Sequence, residues 1–275
     1  MEKVMMEKKN VMLSSAEKKE MTLKRLYIIL PIISIVLLVF VWLGASGSGN
    51  EFPSPQAVLE RYQKIMDRPI KGLNIYGHVL ASLKRVFIAL VIAWITGIAF
   101  GVLIGWSKKA NALLGPMFTA FRAVPPLAWI PLITIAFGTG EGSKILVVYI
   151  GCIACIVVNT QAGMSNINPI YLDVGTIFHA NSRQKLFQIA IPSALDAIFA
   201  GIRTSASAAW MVVLAAEMLG GKSGIGFLIV RGMDSRDQSL VLLAMIFIGI
   251  VGAILAVLTQ VAERVICPWT RKRSN

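Results

Sequence analysis

The sequence predicts an all-α, polytopic membrane protein with about six transmembrane helices and both termini on the cytoplasmic side. Hydrophobic residues make up 56% of the 275 positions and charged residues only 15%, whereas a soluble domain is about a quarter charged. The apolar residues stand in long blocks, and each block is long enough to cross the ~30 Å hydrocarbon layer of a bilayer. Basic residues collect in the two tails and between the blocks, which predicts the orientation. These observations indicate a multi-pass protein of the cell membrane.

The formal net charge of +13 allows two interpretations. One is a basic patch that binds nucleic acid, and the other is the positively charged cytoplasmic flanks of a membrane protein. The lysines and arginines lie mainly in the tails and loops beside the apolar blocks. The second interpretation is therefore favoured, and no nucleic-acid partner is expected.

Residues 1–25 are a predicted cytoplasmic tail that carries seven basic side chains. Residues 26–45 follow as the first predicted span, because this block is charge-free and long enough to cross the bilayer. The block is too long for the core of a cleavable signal peptide, so an uncleaved signal anchor is predicted. Residues 47–80 form the first predicted outer segment, and the stretch ERYQKIMDR within it indicates a surface helix.

The second predicted span, residues 86–106, carries small residues at every fourth position. Such a row forms a groove along one helix face, which lets a neighbouring membrane helix approach closely. Packing is the favoured role, and lining of a pathway is the alternative. The residues of this row are Ala89, Ala93, Gly97, Gly101 and Gly105.

The third predicted span, residues 113–137, contains Pro116, Pro125, Pro126 and Pro131. A proline removes a backbone donor and clashes with the preceding turn, so the span is predicted to be kinked or broken. Broken backbone at membrane depth is tolerated where it is covered by protein or faces a water-filled cavity. This span is therefore a candidate element of a solute pathway.

The fourth predicted span, residues 145–164, leads into the longest polar interruption in the second half of the chain, residues 165–196. Pro169 suits the first turn of a short helix, and Asn181 followed by Gln184 predicts the N-terminus of a second one. Pro192 is expected to end that second helix. The stretch is thus predicted to be a helical hairpin with one apolar face, exposed on the cytoplasmic side.

The fifth and sixth predicted spans cover residues 197–219 and 239–262, with an outer segment at 220–238 between them. Arg203 lies within the fifth span, where a charge at the bilayer centre costs about 2.5–3.5 kcal/mol. Its side chain is expected either to reach the cytoplasmic interface or to face a polar pathway. Residues 265–275 form a basic cytoplasmic tail, so one transmembrane domain extends over residues 26–264.

Two motifs that suggest other chemistry do not meet the requirements of those functions. The stretch GGKSG resembles a phosphate-binding loop, but it follows an apolar helix rather than a strand, and the first glycine of that motif is replaced by Ala216. Cys152 and Cys155 stand in an apolar run, which favours buried packing over a metal or redox site. No catalytic or metal-ligating pattern appears, so the chain is expected to be neither an enzyme nor a cofactor-binding protein.

Three stretches resemble the permease subunits of binding-protein-dependent ABC importers. They are FRAVPPLAWIPLITIAFGTGEGSK, the hairpin ending FQIAIP, and GIRTSASAAWMVVLAAEMLGGKSGIGF. The terminal ERVICPW is similar to the branch that imports taurine, alkanesulfonates, nitrate and related small compounds. The resemblance extends over residues 82–269 and implies the type I ABC importer permease fold.

The resemblance also implies a set of partners for this chain. Permeases of this family dimerise, so a second copy is expected, and an extracytoplasmic binding protein delivers the solute. Two cytoplasmic ATPases, which hold ATP and Mg, dock on a loop with a Glu-Ala-Ala motif, a following glycine and an apolar-Pro ending. In this chain that loop corresponds to the hairpin. Its acid is kept as Asp173, while Val174, Gly175 and His179 replace the two alanines and the glycine.

Two sets of candidate site residues follow. The predicted ATPase-coupling residues are Asp173, Val174, Gly175, His179, Arg183, Phe187, Ile189 and Pro192. The predicted pathway or gating residues are Arg122, Pro125, Pro126, Trp129, Pro131, Arg203, Ser205, Ser207 and Trp210.

The expected function is that of the membrane subunit of an ATP-driven importer, with taurine or another sulfonate as the first choice of solute. The same machinery importing nitrate, bicarbonate-like anions or a vitamin precursor is the alternative within the family. A secondary transporter or channel that needs no ATPase is the alternative from another class, and such proteins place ionisable residues at mid-membrane.

Overall fold

A computed structural model describes residues 52–266 and, of residues 27–46, all except 28, 31, 32 and 35. The two predicted tails lie largely outside these residues, as does part of the first predicted span. The chain divides into two units, residues 1–58 and residues 59–275. Within the first unit, Val36–Ser46 forms an apolar helix, α1, and the indole nitrogen of Trp42 donates to the carbonyl oxygen of Pro53 at 2.9 Å.

Regular structure in the described residues is helical apart from one isolated bridge between Ile70 and Leu73. This confirms the all-α prediction, including the surface helix expected in the first outer segment. After α1 the helices are α2 (Pro55–Asp67), α3 (Ile75–Trp106), α4 (Lys108–Ala123), α5 (Trp129–Phe137), α6 (Glu141–Ser165), α7 (Pro169–Ile177), α8 (Ser182–Met218), α9 (Ile225–Asp234) and α10 (Gln238–Ile266).

Four of these helices, α3, α6, α8 and α10, are long and apolar enough to cross a membrane, and α4 with α5 makes a fifth if the bent pair is one span. We call residues 165–196 the hairpin and the adjacent end of the spans the hairpin end. The opposite end, where α6 begins and α8 stops, is called the far end. The second predicted span began at residue 86, whereas α3 begins at Ile75 because Asn74 caps it there, accepting from the Gly77 amide.

α6 lies between α3 and α8 and forms the centre of the second unit. The predicted row of small residues on α3 provides the contact, since a Cβ at Gly101 would come within 2.6 Å of Thr160 on α6. A Cβ at Gly105 would come equally close to Met164. On the other side of α6, Gly201 of α8 faces Asn159 in the same manner. The small residues therefore pack helices together, as the sequence predicted.

The proline-rich third span is broken, as predicted. α4 ends at Ala123, Val124 is extended (ψ 119°) as expected before a proline, and Pro126–Ala128 forms one 3-10 turn. α5 then continues at an angle of 79°. Pro116 leaves α4 helical, and Pro131 lies in the first turn of α5, where its missing N–H is tolerated.

The prediction that Pro192 ends the second hairpin helix was wrong. The chain stays helical from Ser182 to Met218 because Lys185–Ala190 adopts a π-helical turn, and the amide of Ile191 donates to the carbonyl of Leu186. The proline follows in the first turn of the α-helical segment Ile191–Met218. In a π turn the backbone N–H groups bond to carbonyls five residues back instead of four, so different carbonyls need donors. The helix can therefore continue through a proline, which has no backbone N–H.

Candidate functional site

Both helices of the hairpin are fixed by N-terminal caps, of which the sequence indicated the second. Asn168 accepts from the Ile170 amide at 3.0 Å, with Pro169 in the first turn of α7. Asn181 and Gln184 exchange side-chain and backbone hydrogen bonds, each 2.8 Å long, at the start of α8. Lys185 joins the two helices, because its ammonium group donates to the Thr176 hydroxyl at 2.8 Å. The hairpin is therefore preformed in the isolated chain.

His179 occupies the turn between the two hairpin helices with a φ of 54°. The amide of Ala180 donates to the Gly175 carbonyl and that of His179 donates to the Thr176 carbonyl, so α7 ends in a Schellman motif. Glycine is the usual residue at this left-handed position. The sequence resemblance placed His179 at the glycine position of the coupling loop, and a left-handed conformation at this position is one that glycine adopts readily.

The hairpin exposes a row of large apolar side chains. Phe187, which was predicted to contact an ATPase, is 64% exposed, and Val174 is also exposed. Ile177 and Phe178 are exposed by 74% and 80%, although neither was among the predicted contact residues. Asp173 and Arg183 are exposed beside them. An exposed apolar surface of this kind is found at protein-interaction and membrane-interaction sites.

Two of the predicted coupling residues hold the hairpin itself together. Gly175 is buried, and a Cβ at this position would come within 2.7 Å of Ile189 Cδ1. Ile189 is half-buried against α7, rather than fully presented to a partner. Ile189 and Pro192 also line a cavity of about 460 Å³ that opens between the two hairpin helices. A glycine in place of the family's second alanine thus allows the close approach of Ile189.

A second cavity, of about 520 Å³, opens on the face formed by α4, α6 and α8. We call it the Arg122 cleft. Arg122 is the residue just before the break after α4, and it is exposed. The other lining residues are Thr119, Ala123, Ala154, Cys155, Val158, Asn159 and Thr204. Cys155 and Asn159 lie about 15 and 9 Å from the C-terminal end of α6 at ~1.5 Å per residue, so the cleft is at membrane depth.

The remaining pathway candidates divide into exposed and buried side chains. Arg203 and Ser207 line an adjacent cleft of about 300 Å³, in which Arg203 pairs with Glu263 of α10 at 2.8 Å. Ser205 is buried and accepts from the indole nitrogen of Trp94, and the indole of Trp210 donates to the Ile248 carbonyl. The structure therefore places Ser205 and Trp210 in helix packing. Near the broken segment, Pro125 and Pro131 are exposed, while Pro126 and Trp129 are half-buried.

The far end holds a cluster of four charged residues, three of them buried and one exposed, that sequence reasoning did not single out. Arg85 of α3, whose side chain is 2% exposed, donates to Glu217 of α8 at 2.5 Å. Its other nitrogens donate to both carboxylate oxygens of Glu141, at 2.6 and 2.7 Å. Lys144 lies 3.4 Å from Glu141, so two positive and two negative charges meet. We call these four residues the far-end cluster.

The loop between α8 and α9 closes over the far-end cluster. The hydroxyl of Ser82 and the amide of Gly226 donate to Glu217 at 2.9 and 3.0 Å, and Arg85 donates to the Ser223 hydroxyl at 2.6 Å. Gly224 has a φ of 107°, and a Cβ there would collide with the Glu217 carboxylate. The glycines of GGKSG, which does not fit a phosphate-binding loop, thus allow this loop to enclose a buried carboxylate of the protein itself.

His78 is hydrogen-bonded to the loop between α8 and α9 and to the segment before α3. Its Nδ1 accepts from the Gly224 amide at 3.2 Å, so this ring nitrogen is unprotonated. Its Nε2 therefore carries the proton and donates to the Ile70 carbonyl at 3.2 Å. The available sequence signal was the presence of two oppositely charged residues, Arg85 and Glu217, at the edges of apolar spans.

The fold defines an integral membrane protein with an exposed apolar surface on its hairpin, and comparison with known proteins gives its family. Residues 97–272 match the family described as binding-protein-dependent transport system inner membrane component. The chain belongs to this family of ABC transporter permeases, as the sequence motifs indicated, and it is a multi-pass membrane protein.

Relatives within the family carry names that refer to three solutes. The chain is 36% identical over 253 residues to the nitrate import permease protein of Synechocystis sp., covering 89% of this chain and 91% of the relative. It is 32% identical to the bicarbonate transport system permease protein of Synechococcus elongatus, covering 83% and 85%. It is 31% identical to the taurine transport system permease protein of Escherichia coli, covering 79% of each.

Among solved structures, the inward-facing MetNI methionine ABC transporter contains a chain of similar fold. The TM-score is 0.61 at 16% identity, and the match covers 69% of this chain and 94% of that chain. At this identity the match concerns the fold alone. It agrees with the predicted type I importer permease architecture.

Proposed function

We propose that two copies of this chain form the membrane pathway of an ATP-driven importer for a small solute that carries an anionic group. In this proposal two ATPase subunits on the cytoplasmic side bind ATP and Mg, and an extracytoplasmic protein delivers the solute at the far end. The chain itself carries out no chemical reaction.

The hairpin is the observation that carries the proposal. It is preformed by its caps, and it presents the exposed side chains of Phe187, Ile177 and Phe178. Burial of a large aromatic or aliphatic side chain contributes about 1.5–3 kcal/mol, so three such side chains supply enough energy for a stable contact. An ATPase subunit is the partner that we expect to bind this surface. Membership of a binding-protein-dependent transport family implies an energy source, and we propose that a separate subunit supplies it.

The broken α4–α5 segment and the Arg122 cleft support the assignment of a pathway. α5 exposes Leu132, Ile135 and Phe137 along one side of the second unit, a surface that suits a second permease copy. Beside it, the irregular backbone after Ala123 lies at membrane depth, where protein or water must satisfy its polar groups. A dimer that encloses this face buries the exposed apolar side chains of α5 and also covers the irregular backbone after Ala123.

The relatives named for nitrate, bicarbonate and taurine support an anionic solute. All three solutes are small and carry an oxyanion, although taurine also carries an amine. A transporter that works without an ATPase, the alternative from another class, is disfavoured by the family. It also predicts ionisable residues that bind coupling ions at mid-membrane, whereas Glu217 is sealed within the far-end cluster.

The test is Phe187→Asp, followed by co-purification of the permease with its cognate ATPase. A charge in the centre of an apolar contact must be desolvated, so the amount of ATPase retained per permease is expected to fall at least tenfold. Met233→Asp is the matched control, because Met233 has a similar exposed fraction, 61%, and lies at the far end. Undiminished co-purification of the Phe187→Asp variant would contradict the proposed coupling surface and would favour a hairpin that rests on lipid.

A further inference from the structure

We infer that the Arg122 cleft binds the anionic group of the solute during its passage, with the Arg122 guanidinium as the residue that selects for oxyanions. The inference rests on the proposed pathway and deepens it by naming the site.

Charge is the first argument. Arg122 is the one charged residue among those that line the cleft, and within the described part of the chain it has no ion-pair partner. The other arginine on this side, Arg203, is neutralised by Glu263 at 2.8 Å. The cleft therefore carries a net positive charge, and Arg122 is its source.

Depth is the second argument. A charged group at the centre of a bilayer is costly, and it is found where it faces a water-filled cavity or an opposite charge. α4 rises from Lys108 for about 21 Å before it reaches Arg122, at ~1.5 Å per residue. The Thr204 side of the cleft lies near the middle of the α-helical segment Ile191–Met218. An anion that passes through the cleft would supply the missing counter-charge.

Donor geometry is the third argument. A guanidinium presents a rigid fork of N–H groups that matches two oxygens of a carboxylate, nitrate or sulfonate group. The Asn159 amide uses one N–H for the Cys155 carbonyl, at 2.8 Å, and keeps the other. The Thr204 hydroxyl already donates within its own helix. One cation with few additional donors gives weak binding, as passage requires, because a solute held too tightly does not leave.

The size of the cleft agrees with a small solute. Its volume of about 520 Å³ falls in the range of about 300–1,000 Å³ that is typical of small-molecule sites. The lining consists largely of alanine, valine, threonine and cysteine side chains, which leave room around the arginine. The cleft is open on the side that a second permease copy would cover in the proposed dimer.

The experiment uses the complete transporter, permease with its ATPase and binding protein, reconstituted in proteoliposomes. Uptake of labelled nitrate, bicarbonate and taurine is measured for the wild type, Arg122→Gln and Arg122→Lys. Lys109→Gln is the matched control, since it removes one positive charge from the exposed hairpin end of the same helix. ATPase activity and co-purification are followed in parallel.

Uptake of the transported anion is expected to fall at least tenfold in Arg122→Gln while the ATPase remains bound and active. Arg122→Lys is expected to keep part of the uptake with a KM raised several-fold, because an ammonium group cannot bind two oxygens in parallel. The Lys109→Gln control is expected to stay within twofold of the wild type. If Arg122→Gln fails to assemble, the KM of Arg122→Lys decides the question.

Three results would overturn the inference. One is uptake by Arg122→Gln within twofold of the wild type, and another is an unchanged KM for Arg122→Lys. The third is an equal loss of uptake in the Lys109→Gln control. Failure of the proposed function is distinguishable, because in that case the wild-type transporter takes up none of the three anions or retains no ATPase.

Discussion

The far-end cluster and the hairpin lie at opposite ends of the same helices and use polar and apolar groups in opposite ways. At the far end, Arg85 and Glu217 are buried, and their charged atoms are bonded to neighbouring helices and to the loop after α8. In the hairpin, Phe187 and Phe178 face outward although they are aromatic. One end is stabilised by internal contacts, whereas the other exposes an apolar surface, which is the proposed contact with the ATPase.

The largest expected effect is at the far end, from Glu217→Ala. This change removes the fully buried ionic partner of the Arg85 guanidinium and leaves its Nη1 with the Ser223 carbonyl as acceptor, and breaking a buried ion pair in this way costs about 3–5 kcal/mol. The free energy of unfolding of the purified permease in detergent is the measurement. Glu141→Gln is the comparison, because the Glu141 side chain is 62% exposed whereas that of Glu217 is fully buried, so a smaller loss is expected. Equal losses for the two variants would show that burial does not distinguish them.

An intermediate effect is expected from Gly224→Ala. The backbone of Gly224, at φ 107° and ψ 166°, lies in a region that is essentially restricted to glycine, which costs about 1–3 kcal/mol for another residue. The added Cβ also collides with the Glu217 carboxylate. Gly140→Ala is a suitable control, since open space surrounds that position. The midpoint of thermal unfolding is expected to fall for Gly224→Ala alone, and an unchanged midpoint would refute the proposed enclosure of Glu217.

His179→Gly in the hairpin is expected to have the smallest effect on stability, and it is expected to stabilise the hairpin rather than destabilise it. A residue with a side chain in the left-handed conformation destabilises the folded state by about 1–2 kcal/mol, and glycine removes this strain. Glycine also has greater freedom in the unfolded chain, which offsets about 0.5–1 kcal/mol of that gain. The hairpin should therefore gain up to about 1 kcal/mol. Slower hydrogen exchange at the Ala180 amide, which closes the Schellman motif, is the readout. Faster exchange would show that the His179 side chain stabilises the turn.

Local patterns predicted much of the fold. The prolines between Pro116 and Pro131 predicted the break, and Asn181 with Gln184 predicted the start of α8, because both effects act within a few residues. The early start of α3 at Ile75 and the continuity of α8 through Pro192 were not predicted. The first depends on a side-chain cap and the second on a change in the backbone hydrogen-bond pattern, and hydropathy reports neither.

The candidate site was predicted less completely, for a physical reason. The family motif located the hairpin, and Arg122 was among the pathway candidates, but the far-end cluster joins residues 132 positions apart in the case of Arg85 and Glu217. A charge at the edge of an apolar block has a ready explanation as an interfacial residue. Only the arrangement of α3, α6 and α8 in space shows that these charges meet. The same limitation applies to Ser205 and Trp210, whose packing contacts are with other helices.

The π-helical turn at Lys185–Ala190 has a consequence for the direction in which the docking surface points. Each residue of an α-helix advances the side-chain direction by about 100°, and a π turn holds one residue more than the equivalent α turn. The membrane part of α8 and the hairpin are therefore out of phase by roughly one residue. The direction in which the hairpin side chains point can thus change by insertion or deletion of a single residue here, while the buried face of α8 keeps its contact with α6.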